Sequence, residues 1–154
     1  MTDKYFMICA IEKAKESVAV GGFPAGAVVV MDGKVVGEGI SVGNKLHDPT
    51  SHGEMAAIRD ACKNLESSDL SRATLYASMQ PCLMCFAASA WASIGRIVYA
   101  CPKEAVSLAY YGGSYDTARI NVTLLLPIEL VHFPELEVQS MDVVRAWETR
   151  LSLS

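Results

Sequence analysis

Two short motifs, about thirty residues apart, restrict what this chain can fold into. The first, His52-Gly53-Glu54, opens the helix-like run MAAIRDACKNL; the second, Pro81-Cys82-Leu83-Met84-Cys85, opens the run FAASAWAS. Cys82 and Cys85, at i and i+3, share one helix face and together grip a single metal ion. With His52 they make an N/S/S set of the kind zinc favours. A structural zinc site closes with four protein ligands, whereas three leave a position for water. The fold must therefore bring two helix starts together across the strand-like segment ATLYAS, Ala73 to Ser78. Both starts carry the positive end of a helix dipole, which favours thiolates.

Glu54 lies too close to His52 on the same first turn to serve as a comfortable fourth ligand. It is well placed to take a proton from water and pass it to a leaving group. Each motif alone is weak: a lone His-x-Glu is more often a helix cap or coincidence, and a lone Cys-x-x-Cys divides between structural zinc, redox and chance. A redox dithiol expects a thioredoxin-like context. A structural zinc site expects a fourth Cys or His at ligand spacing, and the remaining histidines, His47 and His132, sit in no recognisable pair. The two motifs together favour a catalytic zinc centre over a non-catalytic zinc or redox module, because a structural site has no need of a carboxylate at Glu54.

The rest of the chain reads as one α/β unit over residues 1–154. Thr2 or Asp3 is placed to cap a first helix with Phe6, Cys9, Ala10, Ala14 and Val18 at helical spacing, ended by Gly21 and Gly22. The segments AGAVVVM and KVVGEGISV flank Asp32-Gly33, a two-residue hairpin signal. Gly43 to Ser51 is loop-like, and Thr50 or Ser51 is placed to cap the helix at His52. Pro81 suits the first turn of the next helix, Gly95 its end, and RIVYA the following strand. A helix is expected over Lys103 to Leu108, a Gly/Tyr loop over Tyr110 to Asp116, a late strand in VTLLLPIEL, and a closing amphipathic helix around Met141 to Leu151. Strands alternating with helices imply an α/β sandwich around one mixed sheet.

Composition narrows the function classes. Hydrophobic residues make up 51% and charged residues 19%, which suits a packed globular chain. The longest apolar runs are strand-sized, so no bilayer span is expected. Asp3, Lys4, Glu12 and Lys13 interrupt the amino-terminal apolar positions, unlike a signal peptide, and a cytoplasmic location is the expectation. Thirteen basic residues against 17 acidic give a net charge of −4, with no Lys/Arg cluster, which disfavours a nucleic-acid partner. The five cysteines are an odd number in an expected reducing compartment, so no disulfide framework is read; Cys9, Cys62 and Cys101 are placed as small buried hydrophobes.

His-x-Glu followed by Pro-Cys-x-x-Cys is the signature of zinc nucleobase deaminases, whose Glu acts as general acid and base without binding the metal. At these residues the chain resembles the cytidine deaminase superfamily, and within it the bacterial guanine deaminase and tRNA adenosine deaminase branch. GGFPAGAVVV resembles that branch's glycine-rich first strand, HDPTSHGEMAAIRDAC its purine-deaminase His-x-Glu helix, and LYASMQPCLMCFAASAWASIGRIVYA its zinc-cysteine helix and following strand. The resemblance implies a three-layer sandwich: a five-stranded mixed sheet with helices on both faces. It implies a homodimer or larger homo-oligomer whose neighbouring chains help form the pocket. It makes His52, Cys82 and Cys85 zinc ligands and Glu54 the proton shuttle, and assigns substrate contacts to Asn44, Ser78 and the backbone near Ala27. Asn44 also reads as a turn former.

Departures from the family pattern bear on the substrate. The family usually has His-Ala-Glu and Glu-Pro-Cys, where this chain has Gly53 and Gln80. Guanine deaminases carry an acidic residue in the loop after the fourth strand; here Gly112 and Gly113 stand at that place, with Asp116 further on. The carboxyl-terminal segment MDVVRAWETRLSLS lacks the basic helix that resembling enzymes use on tRNA. The expected activity is hydrolytic deamination of a free base or nucleoside-like heterocycle, guanine-like first, with adenosine in tRNA and then cytosine as alternatives. Tyr110, Tyr111 and Tyr115, beside the two glycines, either close over a flat heterocycle or form an ordinary surface turn.

Overall fold

Helix α1 (Asp3–Ala19) begins where Thr2 takes the cap, its hydroxyl accepting from the Tyr5 N–H at 3.4 Å. The hairpin β1 (Phe23–Met31) and β2 (Lys34–Ser41) turns at Asp32 and Gly33, both left-handed (φ 51° and 73°), as a two-residue turn between twisted strands demands. The short α2 (Gly43–Leu46) and then α3 (Gly53–Leu65) follow. β3 (Ala73–Met79) runs directly into the start of α4 (Leu83–Trp91), and β4 (Arg96–Cys101), α5 (Thr117–Asn121), β5 (Glu129–His132) and α6 (Glu137–Leu153) complete the chain. This computed structural model describes residues 1–153.

The strands form one sheet in the order β2-β1-β3-β4-β5, antiparallel over the first three and parallel over the last three. Side chains alternate across it. Val28 and Val30 of β1, Tyr76 of β3 and Val98 of β4 meet Phe6, Met7, Ala10 and Ile11 of α1 and Val143 of α6. On the opposite face Ala27, Val29, Leu75 and Ile97 meet Ala57, Ile58 and Ala61 of α3 and Phe86 of α4. The result is the three-layer sandwich expected, with a mixed five-stranded sheet at its centre. Each fully buried aliphatic side chain contributes about 1.5–3 kcal/mol toward that arrangement.

What sets α3 in place is the absence of side chains on β2. A Cβ at Gly39 would stand 2.1 Å from the Gly53 carbonyl oxygen, and one at Gly37 2.5 Å from that of Ala57. The helix backbone lies directly on the strand backbone. His52 and Glu54, at the head of α3, inherit that position.

Several expectations are corrected. Lys103 to Leu108 is not one helix: two 3-10 turns, Lys103–Ala105 and Leu108–Tyr110, are separated at Ser107, whose hydroxyl accepts from the Ala109 N–H and starts the second turn afresh. VTLLLPIEL is mostly not strand. Asn121 holds both backbone groups of Ile128, donating to its oxygen at 2.7 Å and accepting from its N–H at 2.8 Å, so the chain between loops out and β5 begins only at Glu129. α4 ends at Trp91, short of Gly95, and Ser93 turns left-handed (φ 63°). α6 begins at Glu137, a turn before Met141, and the segment read as loop contains α2. The helix after Pro81 starts at Leu83 with Cys82 as its N-cap, and His52, not Thr50 or Ser51, holds that position in α3.

Asp3 fastens the first helix to β3 and β4. Its carboxylate accepts two bonds from Arg96 (2.8 and 2.7 Å) and one from the Tyr76 hydroxyl (2.7 Å). Chiefly through the Arg96 bonds, its pKa falls from 3.8 to about 2. A depressed carboxyl contributes stability that is full above about pH 4 and lost as pH falls through about 2. Asp3→Asn is expected to cost about 1 kcal/mol at neutral pH, or 2–4 °C in Tm, with the difference from the parent shrinking below pH 3. Thermal melts of both proteins across pH 2–7 check this.

Candidate metal centre and active site

His52 and Cys82 occupy equivalent places, the N-caps of α3 and α4, and neither side chain caps its own helix. Both are turned inward, where Cys85, one turn into α4 and fully buried, joins them. The His52 Nδ1 lies 3.5 Å from the Cys82 Sγ and 3.6 Å from the Cys85 Sγ. Tetrahedral zinc with Zn–N near 2.05 Å and Zn–S near 2.3 Å requires an N···S separation of about 3.6 Å. The donor set and its spacing fit zinc. Among the described residues this is the group of three ligand-type side chains close enough to share an ion.

Charge within the group is already arranged. The Cys85 thiol, with help from His52, holds the Cys82 thiol down at about 4, so Cys82 is a thiolate at neutral pH. The hydrogen bond to Cys82, with burial, keeps Cys85 protonated in return. Cys82 and Cys85 would both hold a dication as thiolates, which metal binding favours over the thiol. His52 is raised by its bond to Cys82.

Glu54 is buried, only 6% exposed, and its Oε2 accepts from the Cys85 thiol at 3.5 Å. Burial, then the negative charge of Cys82, push its carboxyl up to about 7. A carboxyl at that value both takes and returns a proton near neutrality.

His52, Glu54 and Cys82 form one end of a cavity of about 550 Å³. Asn44 and Asp48 stand on its side, and Phe23, Tyr110 and Trp147 supply aromatic wall. The three rings pack edge to face, with centroids 5.1 to 6.0 Å apart. The Asn44 amide donates to the Gly21 carbonyl at 2.9 Å, so part of its hydrogen-bonding capacity holds the wall itself. Ala27 does not reach the cavity: it is fully buried in mid-sheet, and Ala25, at the strand's open end, lines the space instead. Ser78 is likewise buried outside the lining; its hydroxyl accepts from the Gly26 N–H at 3.0 Å and braces β1 against β3. Phe23 and Trp147 escaped the sequence reading. Trp147 had one available signal, a large aromatic on an otherwise charged stretch of α6.

The profile of the cytidine and deoxycytidylate deaminase zinc-binding region matches residues 1–101. The chain belongs to this family. It is 42% identical over 98 residues to a tRNA-specific adenosine deaminase of Buchnera aphidicola, a match covering 64% of this chain and 60% of that enzyme's length. It is 38% identical over 122 residues to the guanine deaminase of Bacillus subtilis, covering 79% and 78%. The solved structure of a Bacillus subtilis guanine deaminase superposes with a TM-score of 0.68 at 32% identity, covering 97% of this chain and 95% of that one. A structure from work on A-to-I editing by tRNA:A34 deaminases gives 0.76 at 29% identity, covering 91% and 99%.

Family departures now have physical reasons. A Cβ at Gly53 would sit 3.1 Å from the Gly26 Cα, so this chain's α3 lies too close to β1 for the usual alanine without a small shift. Gln80 needs no charge: its side-chain oxygen accepts from the Lys103 N–H at 2.8 Å, and its backbone oxygen from the Tyr111 hydroxyl at 2.8 Å. Asp116 is spent as the cap of α5, accepting from the Ala118 N–H at 2.9 Å, and does not line the cavity. Tyr110 and Tyr111 do line it; Tyr115 does not.

Purified protein is expected to contain about one zinc per chain, and Cys85→Ala to lose most of it. Metal analysis of both decides: full occupancy in the variant breaks the ligand assignment.

Proposed function

We propose that the protein is a zinc-dependent hydrolytic deaminase of a free purine-like base or nucleoside-like heterocycle, in which His52, Cys82 and Cys85 hold the ion and Glu54 carries protons. The observation carrying this reading is Glu54: a buried carboxyl beside a three-ligand set, facing the cavity and displaced by burial to about 7. Zinc held there supplies Lewis acidity toward the attacking water. The chain's own residues do the rest. Glu54 accepts a proton as water adds to the amine-bearing ring carbon, then returns it to the departing amine, which leaves as ammonia. The aromatic wall of Phe23, Tyr110 and Trp147 offers flat apolar surface to a ring, and the cavity volume lies in the range typical of small-molecule sites.

Adenosine in tRNA is the second reading, supported by the likeness to the Buchnera enzyme. Against it stand the net charge of −4 and α6, where Glu137, Asp142 and Glu148 outnumber Arg145 and Arg150. Phosphate contacts rest on Lys and Arg, and a surface that supplies few of them binds nucleic acid weakly at physiological salt. An ammonia-release assay over purines, pyrimidines, their nucleosides, aminated pterins or triazines, and unmodified tRNA separates the two. A free aminopurine is expected to head the ranking; turnover confined to tRNA would reverse it.

Glu54→Gln preserves size and hydrogen bonding but cannot shuttle a proton. The variant is expected to keep zinc and fold while losing about 10⁴-fold or more in kcat, at the upper end for general acid–base catalysis, since one group serves several transfers. Zinc content measured with kcat tests this: loss of metal would make Glu54 a site-former, and near-full activity would end the mechanism.

A further inference from the structure

Using Cys82 as a metal ligand leaves α4 without the usual N-cap. The first N–H groups of a helix have no intrahelical partner, and the cap side chain normally satisfies one of them. Cys82 makes no such bond. The first of these N–H groups, which a cap side chain does not serve, finds its partner elsewhere in the chain: the Tyr115 hydroxyl oxygen accepts from the Leu83 N–H at 2.9 Å, across 32 residues. Leu83 is the first residue of α4 and lies between the two cysteines.

Tyr115 is itself held. The Lys103 ammonium stands 4.5 Å from the centre of its ring and donates to its backbone oxygen. Lys103 is buried, 7% exposed, and among the described residues no carboxylate pairs with it. A buried ammonium needs compensation, so one without a carboxylate is strongly committed to the carbonyl and ring it has. The Lys103 N–H meets Gln80, at the end of β3 before Pro81 and Cys82. Gly112, at φ 71°, gives the loop the left-handed residue that returns Tyr115 to α4. The tyrosine of this loop that misses the cavity thus touches the helix carrying two of the three ligand-type side chains.

We propose that Tyr115, anchored by Lys103, is a positioning residue of the metal centre: it accepts from the first N–H of α4, which an N-cap side chain does not serve, and so fixes the spacing of Cys82 and Cys85. The inference rests on the metal-centre reading above. Without that bond the first turn of α4 frays, and Cys82, at the very end of the helix, leaves the N···S separation that matches tetrahedral zinc. Partners that orient metal ligands from behind are typically worth 10–100-fold in metal affinity.

The test is Tyr115→Phe, which keeps the ring under Lys103 and deletes only the accepting oxygen, compared with the parent protein loaded with zinc or with cobalt(II) as an optical stand-in. Release of zinc to a chelator is expected to quicken by roughly 10–100-fold, with an altered cobalt–thiolate absorption band. Lys103→Met is expected to act in the same direction, and the double variant no more strongly than Tyr115→Phe. Release and spectrum both like the parent's would overturn the proposal, whatever happened to Tm, since a merely structural tyrosine moves only the last. A parent protein that holds no metal would instead overturn the metal-centre reading, and this inference with it.

Discussion

Everything about the site depends on two helix ends meeting. One nitrogen and two sulfurs must stand about 3.6 Å apart, N to S, around a single point, and they come from α3 and α4, which share one face of the sheet. The tolerance is a few tenths of an ångström. Side-chain packing alone rarely gives that precision, because rotamers and helix shifts absorb small errors. Here the backbone supplies it: α3 rests on β2 through Gly37 and Gly39, and α4 is the direct continuation of β3. The parallel pairing of β3 with β4 and the antiparallel pairing with β1 lock the strand that aims α4 from both sides.

The electrostatics follow from that convergence. Placing two thiols, an imidazole and a carboxyl in one buried corner makes their ionisations interdependent. Cys82 carries negative charge stabilised by its neighbours, and Glu54, excluded from water beside that charge, is held near neutrality in its titration. The same burial that would count against Glu54 as a stabilising residue suits it to moving protons. Nothing else in the cavity wall combines depth with a carboxyl in this way; Asp48 is only half-buried and tied to Thr50.

The chemistry was more legible in the sequence than the walls. His52, Glu54, Cys82 and Cys85 announce themselves because ligand chemistry restricts residue type and helix geometry restricts spacing. The alternation of strands and helices gave the layers for a similar reason, since periodicity encodes which face is buried. The misplaced elements have local causes invisible to periodicity. Asn121 bonds Ile128 at both backbone groups, and a run as apolar as VTLLL loops out, leaving Leu125 fully exposed. Ser107 divides what composition reads as one helix. The family resemblance assigns Ser78 and the backbone near Ala27 to the substrate, but Ala27 is buried in mid-sheet and Ser78 spends its hydroxyl on the Gly26 N–H. Phe23 and Trp147 are 124 positions apart in sequence, and only tertiary packing makes them neighbours at 5.1 Å.

That last contact gives the protein an optical property. Its two tryptophans sit in opposite surroundings: Trp91 is 89% exposed at the end of α4, while Trp147 packs against Phe23 and Tyr110 on the cavity wall. The first indole emits as a solvated ring open to aqueous quenchers. The second reports on whatever fills the space beside it. With Trp91 replaced by phenylalanine, the remaining fluorescence becomes a direct, label-free signal of occupancy, available for any ring the cavity accepts whether or not that ring is turned over.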